Sequence, residues 1–239
     1  TFRPGDHVFG FAGHGGFAEY AAVPERVLAT KPANLTFEQA AAVPLAATTA
    51  LQGLRDTGKL QRGQKVLIIG ASGGVGTFAV QIAKALGAHV TGVCSTRNLD
   101  MVRSIGAAEV LDYTREDFTR SGEEYDVVFQ LAGTHSPGRL RRMLTERGTL
   151  VVSSGDSKGR WIGPMARALS AVALSPFVRQ TLVPLQAKPS GRDLEILKEL
   201  VESGAVVPVI ERTYSLRDVP EAIRHLEGGH ARGKLAITV

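Results

Sequence analysis

Residues 65–76 read KVLIIGASGGVG, and this stretch decides the fold. Its first part, Lys65–Ile69, is a short β-branched apolar run, which predicts a buried strand. The following Gly76–Leu86 has helical periodicity and is closed by a glycine. Three polar residues recur along one face of this helix and are expected to face solvent: Thr77, Gln81 and Lys84. A glycine-rich loop therefore joins a strand directly to a helix.

The same alternation continues along the chain and predicts an α/β protein. Further apolar runs predict strands at His89–Cys94, Glu109–Leu111, Tyr125–Leu131, Thr149–Ser153 and Leu182–Leu185. Helical patterns lie among them at Leu99–Ile105, Arg139–Leu144, Pro164–Leu174 and Leu194–Val201. Short connections between continuous apolar strands are typical of a doubly wound parallel sheet, with helices on both faces.

The two ends of the chain have a different pattern. Short β segments open it at Asp6–Gly10 and Phe17–Val23, and the tail has a β run at Val206–Ile210, a helix at Val219–Leu226 and a last strand at Leu235–Val239. Neither end is long enough to bury a core of its own, so we expect the two to pair with each other. The predicted division is 1–43, 44–204 and 205–239, with the parallel sheet in the middle part.

The composition excludes several classes of protein. Of 239 residues, 44% are hydrophobic and 21% charged, as in globular proteins. The net charge of +5 comes from scattered residues without interleaved aromatics, so no nucleic acid is expected as a partner. No apolar run reaches the roughly 20 residues of a membrane span. The single Cys94 excludes an internal disulfide, and without a signal peptide the expected location is cytoplasmic.

The Gly70–Gly76 loop has the spacing A-x-G-x-x-G between a predicted strand and a predicted helix. Residues without side chains let the backbone turn tightly and approach a pyrophosphate, whose charge the helix N-terminus stabilises. The alternative is a plain strand–helix turn, but the order of the flanking elements favours dinucleotide binding. We expect this loop to be exposed, so that a side chain at Gly74 would impair binding without disturbing the fold.

The end of the second predicted strand indicates which dinucleotide binds. NAD-binding sites place an acid there on the ribose hydroxyls, whereas this strand ends Cys94-Ser95-Thr96-Arg97, with no acid before Asp100. Hydroxyls and a guanidinium suit a 2′-phosphate. The sequence therefore predicts NADPH, unless Arg97 is an ordinary solvated residue at a helix start.

Five landmarks occur in order along the whole chain: GDHVFG at 5–10, GFAEY at 16–20, an Ala-rich segment at 44–51, the glycine loop, and HARGK at 230–234. In this the sequence resembles the zinc-free medium-chain dehydrogenase/reductase superfamily, on its quinone oxidoreductase and zeta-crystallin-like side. The resemblance implies a Rossmann domain packed on a GroES-like β domain that both chain ends form. It also implies that the first part of that β domain is absent from this sequence.

The resemblance further implies a set of cofactor-binding residues. Those for the pyrophosphate are Ser72, Gly73, Gly74 and Val75, and those for the 2′-phosphate are Ser95, Arg97 and Tyr113. The ribose and nicotinamide would contact Thr49, Leu131, Ala132 and Gly133, and a last loop would add His230, Ala231 and Arg232. As alternatives, Thr49 packs within its helix, Tyr113 belongs to the core, and His230 and Arg232 form a solvated turn.

No catalytic metal is expected. Zinc-dependent relatives carry a ligand cysteine four residues before the threonine, and Leu45 occupies that position here. The histidines show no ligand spacing: His7, His14, His89, His135, His225 and His230.

The resemblance implies an NADPH-dependent reductase that transfers hydride to a quinone or an α,β-unsaturated carbonyl. The nicotinamide carries this chemistry, and no residue is nominated as general acid. An apolar lid could include Trp161, Met165 and Phe177, although these residues fit helix packing or a dimer contact equally well. The alternatives are an enoyl-thioester reductase, or a catalytically silent cofactor-binding protein that serves in interaction or RNA binding. The sequence is compatible with a homodimer.

We predict that Arg97→Ala weakens NADPH binding and leaves NADH binding unchanged, because only NADPH carries the 2′-phosphate. Loss of one charge-assisted contact costs roughly 1.5–3 kcal/mol, about tenfold or more in affinity. Titration of both cofactors against the parent and the variant is the measurement. Equal parent affinities for the two cofactors would contradict the assignment.

Overall fold

A computed structural model describes residues 2–153, 178–229 and 231–239. Its strands are β1 (Val8–Gly10), β2 (Leu28–Thr30), β3 (Lys65–Ile69), β4 (His89–Cys94), β5 (Glu109–Asp112), β6 (Tyr125–Gln130), β7 (Leu144–Val152), β8 (Thr181–Pro184), β9 (Ile210–Ser215) and β10 (Lys234–Thr238). Its α-helices are α1 (Phe37–Ala42), α2 (Pro44–Gln52), α3 (Gly74–Ala85), α4 (Leu99–Ser104), α5 (Pro137–Leu140), α6 (Gly191–Glu202) and α7 (Val219–Glu227).

A six-stranded sheet in the order β5-β4-β3-β6-β7-β8 forms the centre of the molecule, and every neighbouring pair in it is parallel. The predicted parallel sheet is therefore confirmed. Strand β7 begins five residues before the predicted start, because Leu144 already pairs with Tyr125 ahead of a register shift.

Helices cover both faces of this sheet, which confirms the doubly wound architecture. Phe78 and Ile82 of α3 are fully buried against one face, together with Val102 of α4. The other face is covered by Phe118 and by Leu140 of α5. Burial of each such side chain is worth about 1.5–3 kcal/mol, so these contacts hold the layers together.

One predicted helix is shorter than expected. The pattern at Arg139–Leu144 forms only α5, followed by a 3₁₀ turn at Arg141–Met143. The helix starts early because Ser136 caps it, accepting a hydrogen bond from the Arg139 N–H, and Pro137 occupies its first position. It ends early because Leu144 is already extended in β7.

The sheet has a topological switch between β3 and β6. The chain runs from β3 outward through β4 to β5 and then returns to place β6 on the other side of β3. Connections therefore leave in opposite directions at the carboxyl ends of β3 and β6, which opens a crevice there. The Leu131 N–H donates to the Ile69 carbonyl at 3.0 Å and aligns the two strand ends. The glycine loop begins at this crevice.

The two chain ends do not pair as predicted. Strands β1 and β2 form one antiparallel pair, and β9 and β10 form a separate parallel pair. The two pairs approach each other across α1, without a shared strand ladder. Phe17–Val23 is not a strand, because no described strand lies beside it to accept its backbone hydrogen bonds; Tyr20 is 90% exposed.

One expectation about the tail and one about the polar face of α3 are wrong for a shared reason. The run Val206–Ile210 is irregular and the strand starts only at its last residue, because the N–H and C=O of Val207 bond to the side chain of Gln81 at 2.8 and 3.0 Å. Gln81 is consequently buried under this segment, and Thr77 is buried as well, so neither side chain faces solvent. The Gln81 side chain on α3 thus satisfies the hydrogen-bonding groups of the Val207 backbone.

Some expectations fall outside the described residues: the helix at Pro164–Leu174, the lid residues Trp161, Met165 and Phe177, and His230. Within the described ranges, no helix has the length and apolar character that crossing a membrane requires.

We predict that Gly76→Ala destabilises the fold, since its β-carbon would lie 2.0 Å from the Gly70 carbonyl oxygen. Overpacking of this kind typically costs about 1–3 kcal/mol in the free energy of unfolding. The matched control is Gly73→Ala, where the nearest atom would be 3.5 Å away and φ is −81°; its change should stay within about 1 kcal/mol. Urea denaturation measures both, and equal stabilities would contradict the packing argument.

Candidate functional site

The glycine loop is built around a sharp turn at Gly70, whose φ is +90°. The N–H groups of Gly70 and Ala71 both donate to the Val93 carbonyl at 3.0 Å, which ties the loop to β4. A β-carbon at Gly70 would lie 2.7 Å from Ala132. The left-handed backbone and this close contact both require glycine.

The N-terminus of α3 follows directly from this loop. Its N-cap residue is Gly73, and no side chain caps the helix. The first intrahelical bond runs from the Thr77 N–H to the Gly73 carbonyl, so the N–H groups of the preceding turn have no helical acceptor. Together with the helix dipole, these groups favour an anion at Gly73–Val75.

Asn98, which the sequence analysis missed, joins two of the predicted site residues. Its amide nitrogen donates to Ser72 Oγ at 3.1 Å and to Ser95 Oγ at 3.3 Å. The side chain is only 4% exposed, so this bridge is fixed between the glycine loop and the end of β4. The structure therefore brings Ser72 and Ser95 together.

Asp112 ties the ends of β4 and β5 together. Its carboxylate accepts a hydrogen bond from Thr96 Oγ1 at 2.5 Å and two from Thr114, from N at 2.9 Å and from Oγ1 at 2.7 Å. These bonds hold the pKa of Asp112 below its usual range, with the Thr114 hydroxyl as the largest cause and Thr96 next. The carboxylate is thus turned toward hydroxyl donors that already satisfy it.

The remaining 2′-phosphate candidates lie around the same strand ends. Arg97 is exposed within a 3₁₀ turn at Thr96–Asn98, directly after Ser95. The Tyr113 N–H donates to the Cys94 carbonyl at 3.2 Å, and the Tyr113 side chain is 58% exposed. The core alternative for Tyr113 is therefore wrong.

The C-terminal segment covers the glycine loop. The Gly233 N–H donates to the Ser72 carbonyl at 2.9 Å, and the Arg232 N–H donates to Glu211 Oε2 at 2.8 Å. A β-carbon at Gly74 would lie 2.9 Å from the Lys234 side chain. The expectation that Gly74 is exposed is wrong, because Lys234 and Gly233 pack against it.

Lys234 is the second residue that sequence reasoning missed. Burial lowers the pKa of its ammonium group, and among the described residues no carboxylate forms an ion pair with it. A poorly hydrated cation thus lies beside the helix N-terminus that favours an anion. The signal available in the sequence was the lysine directly after Gly233, in the strand that closes the tail.

The comparisons with known proteins identify the family. The sequence model described as zinc-binding dehydrogenase matches residues 105–237, more than half of the chain. The chain belongs to the medium-chain dehydrogenase/reductase superfamily. It is 34% identical, over its whole length, to the mitochondrial NAD(P)H oxidoreductase RTN4IP1 of Mus musculus, and spans 65% of that protein. It is 35% identical to a chloroplast envelope quinone oxidoreductase homolog of Arabidopsis thaliana, with 99% of the chain and 74% of the relative covered.

The structural comparison agrees with this identification. The quinone oxidoreductase of Coxiella burnetii superposes with a TM-score of 0.85 at 30% identity, covering 98% of this chain and 72% of that one. The medium-chain reductase fold predicted from the sequence is therefore confirmed. The chain spans less than two thirds of the length of the mouse relative.

The residues predicted for the ribose and nicotinamide lie on α2 and directly after β6. Leu131 and Ala132 follow β6, and Gly133 has a φ of +81°. Thr49 Oγ1 donates to the Leu45 carbonyl at 2.6 Å, which agrees with the alternative that its hydroxyl bonds within its own helix. The hydroxyl oxygen can still accept a hydrogen bond from a ligand.

The donor set of the described residues does not fit a zinc ion. Leu45, at the ligand position that zinc-dependent relatives use, has no donor atom and is 66% exposed. Among the described residues, no three His, Cys, Asp or Glu side chains are grouped closely enough to hold a metal.

We predict that Asp112→Asn lowers the melting temperature at neutral pH. Because the folded pKa of Asp112 is depressed, its carboxylate stabilises the protein above its unfolded pKa of about 3.9, and this stabilisation is lost as pH falls through the folded pKa. The difference between variant and parent should therefore shrink below about pH 4. Thermal scans of variant and parent between about pH 3 and about pH 8 measure this difference in melting temperature. The matched control is Asp100→Asn, an exposed acid, which should change the melting temperature little at any pH.

Proposed function

We propose that this chain is the cofactor-binding part of an oxidoreductase that transfers hydride from NADPH to a quinone or an α,β-unsaturated carbonyl. The observation that carries the proposal is the arrangement around the α3 N-terminus: a glycine turn at the sheet's switch point, covered by the partly buried Lys234. A pyrophosphate placed there would meet the helix dipole and Lys234 together. The relatives named as NAD(P)H and quinone oxidoreductases support the same class of reaction.

The preference for NADPH rests on the end of β4. Ser95, Arg97 and Tyr113 offer two hydroxyls and a guanidinium, and Asp112 is the acid beneath them. Its oxygens accept from Thr96 and Thr114, so this carboxylate is not presented to a ribose hydroxyl. A 2′-phosphate would find donors at the surface, and the carboxylate of Asp112 is already hydrogen-bonded to Thr96 and Thr114.

The bound nicotinamide would supply the hydride, and the chain's own residues would position it. Ser72–Val75 would hold the pyrophosphate, and Leu131–Gly133 would line the ribose and nicotinamide with Thr49 as a hydrogen-bond acceptor. Ala231 and Arg232, fixed through Glu211 and Ser72, would close over the cofactor. No zinc is needed in this reaction, because hydride passes directly to an acceptor that is already electron-poor.

The rest of the sequence-based expectations belong to this proposal. The division of the chain remains a prediction, with the bounds 1–43, 44–204 and 205–239 and with GroES-like end segments. So do a homodimer, a small-molecule acceptor and the absence of a nucleic-acid partner. So does a cytoplasmic location, although the mouse relative is named as mitochondrial and the Arabidopsis relative as a chloroplast envelope protein.

We expect Lys234→Met to weaken NADPH binding about tenfold or more, because it removes a charge-assisted contact to the pyrophosphate. In the parent, a lysine with a lowered pKa loses its charge below the ordinary value of about 10.4, so affinity should already fall with rising pH before that value is reached. The variant should lack this pH dependence. Fluorescence titration of NADPH measures both, with Lys188→Met, an exposed lysine, as the control. A pH-independent parent would contradict the role of Lys234.

Turnover separates the proposal from its alternatives. NADPH oxidation is followed with a quinone, an enone and an enoyl thioester as acceptors. The proposal requires oxidation with one of the first two, unchanged by a chelator and without stoichiometric zinc in elemental analysis. Preference for the thioester favours an enoyl-thioester reductase. NADPH binding without oxidation of any acceptor favours a catalytically silent interaction or RNA-binding protein.

A further inference from the structure

A second concave surface lies on the face of the sheet that α5 covers. It is a cavity of 580 Å³ between the 3₁₀ turn Phe118–Arg120 and the segment that runs from Ser136 through α5. Its lining consists of Thr119, Arg120, Ser136, Gly138, Arg139, Arg141 and Arg142. No residue of the glycine loop lines it.

The charges around this cavity, which we call the arginine cavity, are unbalanced. Four of the seven lining residues are arginines, and none of the seven is an aspartate or a glutamate. One acid outside the lining, Asp117, contacts two of the guanidiniums: Arg139, and Arg120 at 3.3 Å. Within the described parts of the chain, Arg141 contacts the neutral Gln180 at 3.5 Å, and neither Arg141 nor Arg142 forms an ion pair. Among the residues that the structure describes, Asp117 is therefore the one acid that forms an ion pair with any of these four arginines.

The hydroxyl oxygens of the lining already accept hydrogen bonds from within the protein. Thr119 Oγ1 already accepts from Arg139 Nε at 2.8 Å, and Ser136 Oγ accepts from the Arg139 N–H at 3.3 Å. Guanidinium N–H groups are donors only. The arginine cavity thus presents mainly donors to whatever enters it.

The backbone leaves room for such a ligand. A β-carbon at Gly138 would meet no atom within 4 Å, so the lining is open at that point. The guanidinium fork matches the oxygens of a phosphate group in a bidentate manner. Several arginines around one concavity suit a ligand with more than one phosphate, because each added negative charge relieves the repulsion among the cations.

We propose that the arginine cavity is a binding site for a small molecule that carries two or more phosphate groups, distinct from the cofactor site. Arg139 also lines a neighbouring concavity, which Tyr113–Phe118 and His135 form. The arginine cavity and this concavity therefore adjoin at Arg139, and no residue of the glycine loop lines either of them. A single-stranded nucleic acid fits less well, since such sites stack bases on aromatic side chains and the lining contains none.

The test is calorimetric titration with inorganic tripolyphosphate at low salt, with ATP as a second arm. With the glycine loop blocked by Gly73→Val, the chain should bind one tripolyphosphate, and adding Arg141→Ala/Arg142→Ala should weaken that binding about tenfold or more. The matched control Arg217→Ala/Arg224→Ala removes two exposed arginines of the tail and should keep the parent affinity. Stronger binding of ATP than of tripolyphosphate would identify the ligand as a nucleotide, and the reverse as a polyphosphate; either supports the site.

A Gly73→Val background separates this site from the cofactor site. Tripolyphosphate binding should persist there, whereas NADPH binding should be lost; retained NADPH binding would contradict the proposed function and leave this proposal intact. Absence of binding by the parent, full affinity in the Arg141→Ala/Arg142→Ala variant, or an equal loss in the control would overturn the arginine cavity. Melting temperatures show whether each variant is folded. If Arg141→Ala/Arg142→Ala unfolds, Arg142→Gln alone replaces it and should weaken tripolyphosphate binding measurably.

Discussion

Helix α3 starts in contact with the turn that follows β3, and this contact sets the geometry of everything around it. There is no space for a side chain at Gly76, where a β-carbon would lie 2.0 Å from the Gly70 carbonyl oxygen. The same closeness recurs on the neighbouring strand, where a β-carbon at Gly92 would lie 3.0 Å from the Ala71 side chain. Strand, turn and helix therefore have a single relative placement, and the crevice at the carboxyl ends of β3 and β6 follows from it.

The proposed cofactor site combines parts that are distant in the sequence. The helix N-terminus supplies partial positive charge, Lys234 supplies a full one from the last strand, and Asn98 links Ser72 with Ser95. Asp112 balances this arrangement, because its negative charge is held by threonine hydroxyls below the surface. The polarity of the site is thus set by how each charge is hydrogen-bonded, as well as by which charged residues are present.

Patterns that depend on neighbouring residues predicted most of the fold. Strands β3 and β4 have the predicted bounds. For β3 the reason is a continuous apolar run that ends at Gly70, which identifies a strand without knowledge of its partner. Contacts across the sequence were not predictable in this way. Gln81 reads as a solvent-facing polar residue until Val207, 126 positions away, is seen to bond with it. The strand Ile210–Ser215, the position of Lys234 over Gly74 and the role of Asn98 depend on similar distant contacts.

The hydrogen bond between Gly233 and Ser72 makes the last strand part of the environment of the glycine loop. Two elements in contact cannot be perturbed independently, and the coupling is reciprocal in free energy. Occupancy of the loop should consequently slow amide hydrogen exchange in β10, and loosening of β10 should raise the dissociation constant of whatever occupies the loop. The carboxyl-terminal residues of this chain thus report on the state of a loop that lies more than 150 residues earlier in the sequence.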